Sequence, residues 1–149
     1  MKNVQFDTPN NWIVTDNISE DISVCSMQSI QVDCKEDEYI DSISIRYYDG
    51  DPGYGVHENM RRALNEYVND TFPEYYSMIS DDQWLYVTEV LGSEAYYYID
   101  QKVNDPAATI AIGVELSLGK EIYIDIRIKT VLVDIDEILE SVAGRIHLV

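Results

Sequence analysis

Hydrophobic and polar positions alternate along most of this chain, and the period of that alternation divides it into elements. Val4 and Phe6 are separated by a polar residue and followed by Pro9, Asn10 and Asn11, a turn leading into Trp12, Ile13 and Val14. This pattern predicts a short opening hairpin. Between residues 22 and 32, Ile22, Val24, Ile30 and Val32 all fall on even positions, which predicts one or two strands with a single buried face. Ile43 and Ile45 continue as a further strand, stopped by Asp49-Gly50-Asp51-Pro52-Gly53, where proline lacks a ladder donor and glycine supplies turn conformations. The period then changes. Met60, Leu64, Tyr67, Val68 and Thr71 lie on one stripe of a helix from Glu58 to Phe72 that Pro73 ends, with Glu58 at the positive end of its dipole.

Beyond the helix, Trp84 to Val90 and Ala95 to Val103 read as strands joined through Gly92-Ser93. In the second, Ala95, Tyr97, Ile99 and Val103 share one face, while Tyr96, Tyr98, Asp100 and Lys102 share the other, expected to be the wetter. Ile110, Ile112, Val114, Leu116 and Leu118 alternate strictly, as do Ile122, Ile124, Ile126 and Ile128 after Gly119-Lys120. A simple two-residue loop at Gly119-Lys120 would set each isoleucine opposite a charged residue. Parity therefore predicts a three-residue connection or a bulge near Leu118 to Glu121. Asp134 and Glu137 form a capping-box pair ahead of an amphipathic closing helix carrying Ile135, Ile138, Leu139, Val142 and Ile146. No repeat, linker or low-complexity tract interrupts these elements, so residues 1–149 are expected to form one domain, a mostly antiparallel sheet flanked by helices (α+β).

Composition adds a sign to the surface. With 28 acidic and 10 basic residues, the formal charge is −18, while 46% hydrophobic residues permit an ordinary core. Phosphate backbones and anionic membranes are bound by Lys and Arg, so neither nucleic acid nor a membrane is the expected partner; a basic protein is. No charged segment followed by an apolar core comes after Met1, and no apolar run is long enough to span a bilayer, which makes the expected location cytoplasmic.

Candidate chemistry is sparse. Asp49-x-Asp51-x-Gly53 starts like a calcium loop, but Tyr54 stands where that loop needs glycine and Met60 where it needs a bidentate glutamate, so no metal is assigned. Cys25 and Cys34 are read as free thiols, although a hairpin would suffice to bring them together. His57 is read as a helix-start residue and His147 as part of a fraying terminus. Gly53-Tyr54-Gly55 lacks the rest of a dinucleotide fingerprint. Asp81-Asp82, Glu89 and Asp100 offer carboxylates for acid–base work, but close acidic pairs are expected in so acidic a chain. No catalytic residue and no cofactor are assigned.

Two features rise above this background. The segment from Asp33 to Asp41 carries Asp33, Glu36, Asp37, Glu38 and Asp41 against Lys35, and the chain holds 12 tyrosines, several paired as in Tyr47-Tyr48, Tyr75-Tyr76 and Tyr96 to Tyr98. Tyrosine couples a large ring to a polar tip and is enriched at interfaces. Carboxylates beside outward-turned tyrosines would receive Arg and Lys from a partner and speed encounter. The expected contact residues are Tyr96, Tyr98, Asp100, Tyr123 and Asp125, with Glu36, Asp37 and Glu38 as a second patch.

The order of elements resembles one known family. Phe6-x-x-Pro9-x-x-Trp12-x-Val14, the central helix, Gly92-x-x-Ala95-Tyr96 and the closing hairpin followed by a helix look like the PsbP-like family. That family includes a photosystem subunit, a Ran-binding nucleotide-release factor, bacterial lipoproteins and chaperones that load type VI secretion effectors. The resemblance implies an α/β sandwich and a role in binding other proteins, and it carries over no catalytic residue. No lipobox cysteine follows Met1 and no transit peptide is visible, so the lipoprotein and photosystem branches fit least. The expected function is non-enzymatic: a bacterial immunity-type protein occluding a basic toxin, or alternatively a chaperone that loads a type VI effector.

Overall fold

A computed structural model of the chain describes residues 4–22, 25–50, 54–72, 85–117 and 119–149. Its strands are β1 (Val4–Phe6), β2 (Ile13–Ile22), β3 (Cys25–Asp33), β4 (Ile40–Gly50), β5 (Tyr86–Val90), β6 (Ser93–Asp100), β7 (Ala108–Ser117), β8 (Lys120–Ile128) and β9 (Ile146–Leu148). Helix α1 spans Val56–Thr71 and helix α2 spans Ile135–Ala143. Seven strands form one antiparallel sheet in the order β2-β3-β4-β8-β7-β6-β5, and β1 pairs with β9 in a separate ribbon.

The order follows from two meanders. β2, β3 and β4 fold back on one another, the chain then crosses by way of α1 to the far edge at β5, and β6, β7 and β8 return until β8 pairs with β4. That crossing lays α1 over β6 and β7, against which it packs. Side chains opposite one another across a ladder share a face. On one face, Ile43 and Ile45 of β4, Ile122 to Ile128 of β8, and Ile110, Ile112 and Val114 of β7 make the main core with Ile138, Leu139 and Val142 of α2. On the other, Val56, Met60, Leu64, Tyr67 and Val68 of α1 cover Tyr98 and Ala111.

The helical stripe is where periodicity puts it, with α1 starting two residues earlier than expected, after Gly55. The parity argument also holds: β7 and β8 pair with Val114 opposite Ile122 and Ile112 opposite Ile124. The extra residue lies between Glu115 and Ser117, slightly upstream of the expected position. Asp134 caps α2 as expected, its carboxylate accepting from the Glu137 amide at 3.3 Å.

Other expectations need correction. The turn before Trp12 exists, with the Trp12 amide donating to the Pro9 carbonyl at 3.0 Å, but no opening hairpin follows. Val4 lies opposite Leu148 and Phe6 opposite Ile146. The Gln28 side chain holds both backbone groups of Val4, accepting from its amide at 2.8 Å and donating to its carbonyl at 2.9 Å. Trp12 is spent on core packing, stacked at 6.1 Å on Phe6 beneath the Arg145 guanidinium. Ile146 belongs to β9 instead of the closing helix, and His147 is no frayed end, since it sits in β9 with Nε2 2.7 Å from the Asp7 carboxylate. The second tyrosine-rich strand stops at Asp100, short of Val103. Val24, Tyr75, Tyr76, Asp81, Asp82, Trp84 and Leu118, with Asp51 to Gly53 of the turn, lie outside the described residues.

Candidate functional site

Pairing across the sheet sets the geometry of the α1 face. Tyr98 lies opposite Ala111, Ala111 opposite Asp125 and Asp125 opposite Ser44, while Tyr96, Gly113, Tyr123 and Arg46 form the next row. The strand β7 supplies only Ala111 and Gly113 here, so α1 can sit low over it. A depression remains between the helix and the β4–β8 side of the sheet, a cavity of about 370 Å³ lined by Arg46, Tyr48, Asn59, Met60, Tyr98, Glu121, Tyr123 and Asp125, among others.

Its polar groups are organised around the Tyr123 hydroxyl. The Asn59 side-chain amide of α1 donates to it at 2.8 Å, and the hydroxyl donates in turn to a Glu121 carboxylate oxygen at 3.1 Å. Glu121 is only 2% exposed. An unpartnered buried carboxylate is costly, so this oriented donor chain is part of what holds it there. Burial pushes the Tyr123 phenol well above its ordinary value; the bond from Asn59 opposes this and the Glu121 charge adds to it. Arg46 places its guanidinium 5.5 Å from the Tyr123 ring centre and 3.9 Å from an Asp125 oxygen, too long for a hydrogen bond. Burial raises Asp125 above the usual aspartate value, Arg46 opposes the shift and Asp100 adds to it. Cys25, at the pocket wall, is raised by burial and by the Glu121 charge, which suppresses the reactive thiolate.

Of the first expected patch, the fold brings Tyr98, Tyr123 and Asp125 into this one cavity. Tyr98 does not turn outward: it is 8% exposed and stacked at 5.9 Å on Tyr67 of α1. The face expected to be wetter is therefore half roofed by the helix. Burial, followed by the Asp100 and Asp125 charges, pushes the Tyr98 phenol up to about 12. Tyr96 is half-buried against His57, ring centres 4.8 Å apart, and donates to Glu94. Asp100 pairs with Lys102 at 3.3 Å.

The second patch lies near the opposite end of β4, about 20 Å from Arg46 by strand rise. Glu36 and Glu38 are exposed. Asp37 is no free anion: it accepts from the Tyr39 and Ile40 amides, both at 2.9 Å, and from the Trp12 indole at 3.4 Å. It shapes the β3–β4 turn, which Lys129 ties down through the Lys35 and Asp37 carbonyls.

The residues not anticipated are Glu121, Arg46, Tyr48 and Asn59. Glu121 was accessible to the same parity that picked out Tyr123 and Asp125, being two positions before Tyr123 on one strand. Cys25 and Cys34 are both buried and free. Among the described residues, no His, Cys, Asp and Glu side chains group so as to hold a metal ion, and no helix is long and apolar enough to cross a membrane. Among known protein families, curated proteins and solved structures, none matches this chain.

Proposed function

We propose that this chain is a non-enzymatic, acidic protein-binding domain that captures a basic partner, with an immunity-type role of occluding a cationic toxin as its biological setting. The observation that carries the reading is the cavity beside α1, lined by Glu121, Asp125, Tyr98 and Tyr123, with Arg46 beside Tyr123 and Asp125. The charge of −18 supports it, because an acidic surface steers and selects basic proteins. The finer fold assignment, a PsbP-like sandwich, belongs to the same proposal and rests on the order of elements and the short motifs quoted above.

Co-purification from the native host, followed by assay of whatever is captured, tests the reading. A basic polypeptide whose enzymatic activity is suppressed in the complex and restored on dissociation is the expected result. Capture of a secretion effector through an apolar segment would overturn the toxin setting in favour of effector loading. Ile13 and Ile18, exposed on one face of the edge strand β2, provide apolar surface for that second reading.

A further inference from the structure

We propose that the outer edge of β2 receives an extended segment of the basic partner as an added strand, an inference that rests on the reading above and names its contact. β2 closes one end of the seven-stranded sheet, and among the described residues it pairs with β3 alone. That ladder runs without a shift from Asp16 opposite Gln31 to Ile22 opposite Cys25, beyond the irregularity at Thr15. An edge of this kind presents a row of open amides and carbonyls to any strand that can pair with it. All six side chains from Asp16 to Asp21 are exposed.

The side chains decide which strand fits. Asp16, Ile18 and Glu20 stand opposite Gln31, Ser29 and Met27, so the three share one face, with the exposed Ile18 between the two carboxylates. Neither β2 nor β3 carries a basic residue, and among the described residues no cation is paired with Asp16 or Glu20. A second copy of the chain is a poor occupant. Antiparallel pairing of β2 with itself about Ile18 would set Asp16 opposite Glu20 twice, and like charges directly opposite destabilise a ladder. A strand with Lys or Arg two positions to each side of an apolar residue instead meets both carboxylates and covers Ile18. Its two cations lie as far apart as Asp16 and Glu20, roughly 14 Å by strand rise. Main-chain bonds then supply affinity, and the alternate side chains supply selection.

Short peptides test this without the partner. Acetyl-Thr-Lys-Thr-Val-Thr-Lys-Thr-amide and its counterparts with Gln or Glu in place of both lysines are titrated into the 149-residue chain and followed by NMR of the backbone amides. The lysine peptide should shift the amides of residues 16–22 with a dissociation constant on the order of 1 mM, as expected of a short strand that must be ordered on binding. The glutamine peptide should bind about threefold to tenfold more weakly, and the glutamate peptide not detectably. N-methylation of alternate peptide residues should abolish binding in one frame and spare it in the other, because only every second amide faces β2. Asp16→Lys combined with Glu20→Lys should invert the preference toward the glutamate peptide. Attraction to net charge alone would not invert, since the variant remains strongly acidic. Unmoved β2 amides, equal binding of the two N-methylated frames, equal binding of the lysine and glutamine peptides, or an unchanged preference in the double variant would overturn the proposal. A concentration-dependent dimer that perturbs the β2 amides without peptide would overturn it in favour of a second copy. If a basic polypeptide from the host is captured at unchanged affinity by the double variant, this contact is refuted and protein binding survives. Capture of no basic polypeptide, with the peptides bound as expected, refutes the broader reading and leaves the strand receptor standing.

Discussion

Gly113 decides how close α1 comes to the sheet. A Cβ on it would stand 2.7 Å from Met60 Cγ and 2.8 Å from Val56 Cγ1. Met60 can shift, but the β-branched and fully buried Val56 has little rotamer freedom. Gly113→Ala should therefore lift the helix, lengthen the Asn59–Tyr123 hydrogen bond and lower stability by about 1–3 kcal/mol, measured by urea unfolding. Asp125 has the opposite sign. Burial raises its carboxyl above the unfolded value, so the folded state prefers the protonated form. Its favourable contribution is complete below the ordinary aspartate value of about 3.9 and is lost as pH rises through the raised one. Asp125→Asn should accordingly melt at a higher temperature than the wild type at pH 7, with the gain vanishing below about pH 3.9. At this scale, period-two parity puts Tyr96, Tyr98 and Asp100 on one face of their strand, and it is strand pairing that brings Tyr98 into line with Asp125 through Ala111. Parity could not reveal that Tyr98 is roofed, because nothing within one strand says which face a distant helix will cross. Glu121 does not stand out in the sequence, because a charged residue beside a turn reads as solvated.

Elements defined by local rules were the more legible ones. The stripe of α1, the Asp134 cap of α2 and the need for a bulge between β7 and β8 all follow from spacing within a short window. The ribbon of β1 and β9 does not, because it joins the two ends of the described chain, and each strand is only three residues long. The opening hairpin failed for the same reason: Val4 and Phe6 alternate equally well for either partner, and the buried Gln28 side chain takes the backbone groups of Val4. Helix α1 also offers an electrostatic test. Hydrogen bonds from Arg61 and Arg62 hold the Glu58 carboxyl down to about 2. A lowered carboxyl contributes stability above the unfolded glutamate value of about 4.3, and this is lost as pH falls toward about 2. Glu58→Gln should slightly lower the melting temperature at pH 7 and leave it unchanged near pH 2. The effect is small because the pair is exposed to solvent.

For the whole molecule, the charge of −18 bears on folding and on association in opposite directions. Bringing so many carboxylates onto one compact surface raises their mutual repulsion, and screening shortens from roughly 30 Å at 0.01 M salt to about 8 Å at 0.15 M. Added salt also weakens exposed ion pairs such as Lys102–Asp100 and Arg62–Glu58, but such surface pairs contribute little. Surplus acids outnumber such pairs, so the melting temperature should rise between these two salt concentrations. Association with a basic partner should respond in the other direction, its rate falling as the attraction is screened. Replacing Glu36 and Glu38 with serine should slow association at low salt and flatten its salt dependence while leaving the melting temperature almost unchanged, since both are exposed in a turn shaped by Asp37. Stopped-flow association and thermal melts over one salt series separate the two roles of the charge. Rising stability accompanied by an association rate indifferent to salt would mean that the carboxylates serve only to keep the protein dispersed.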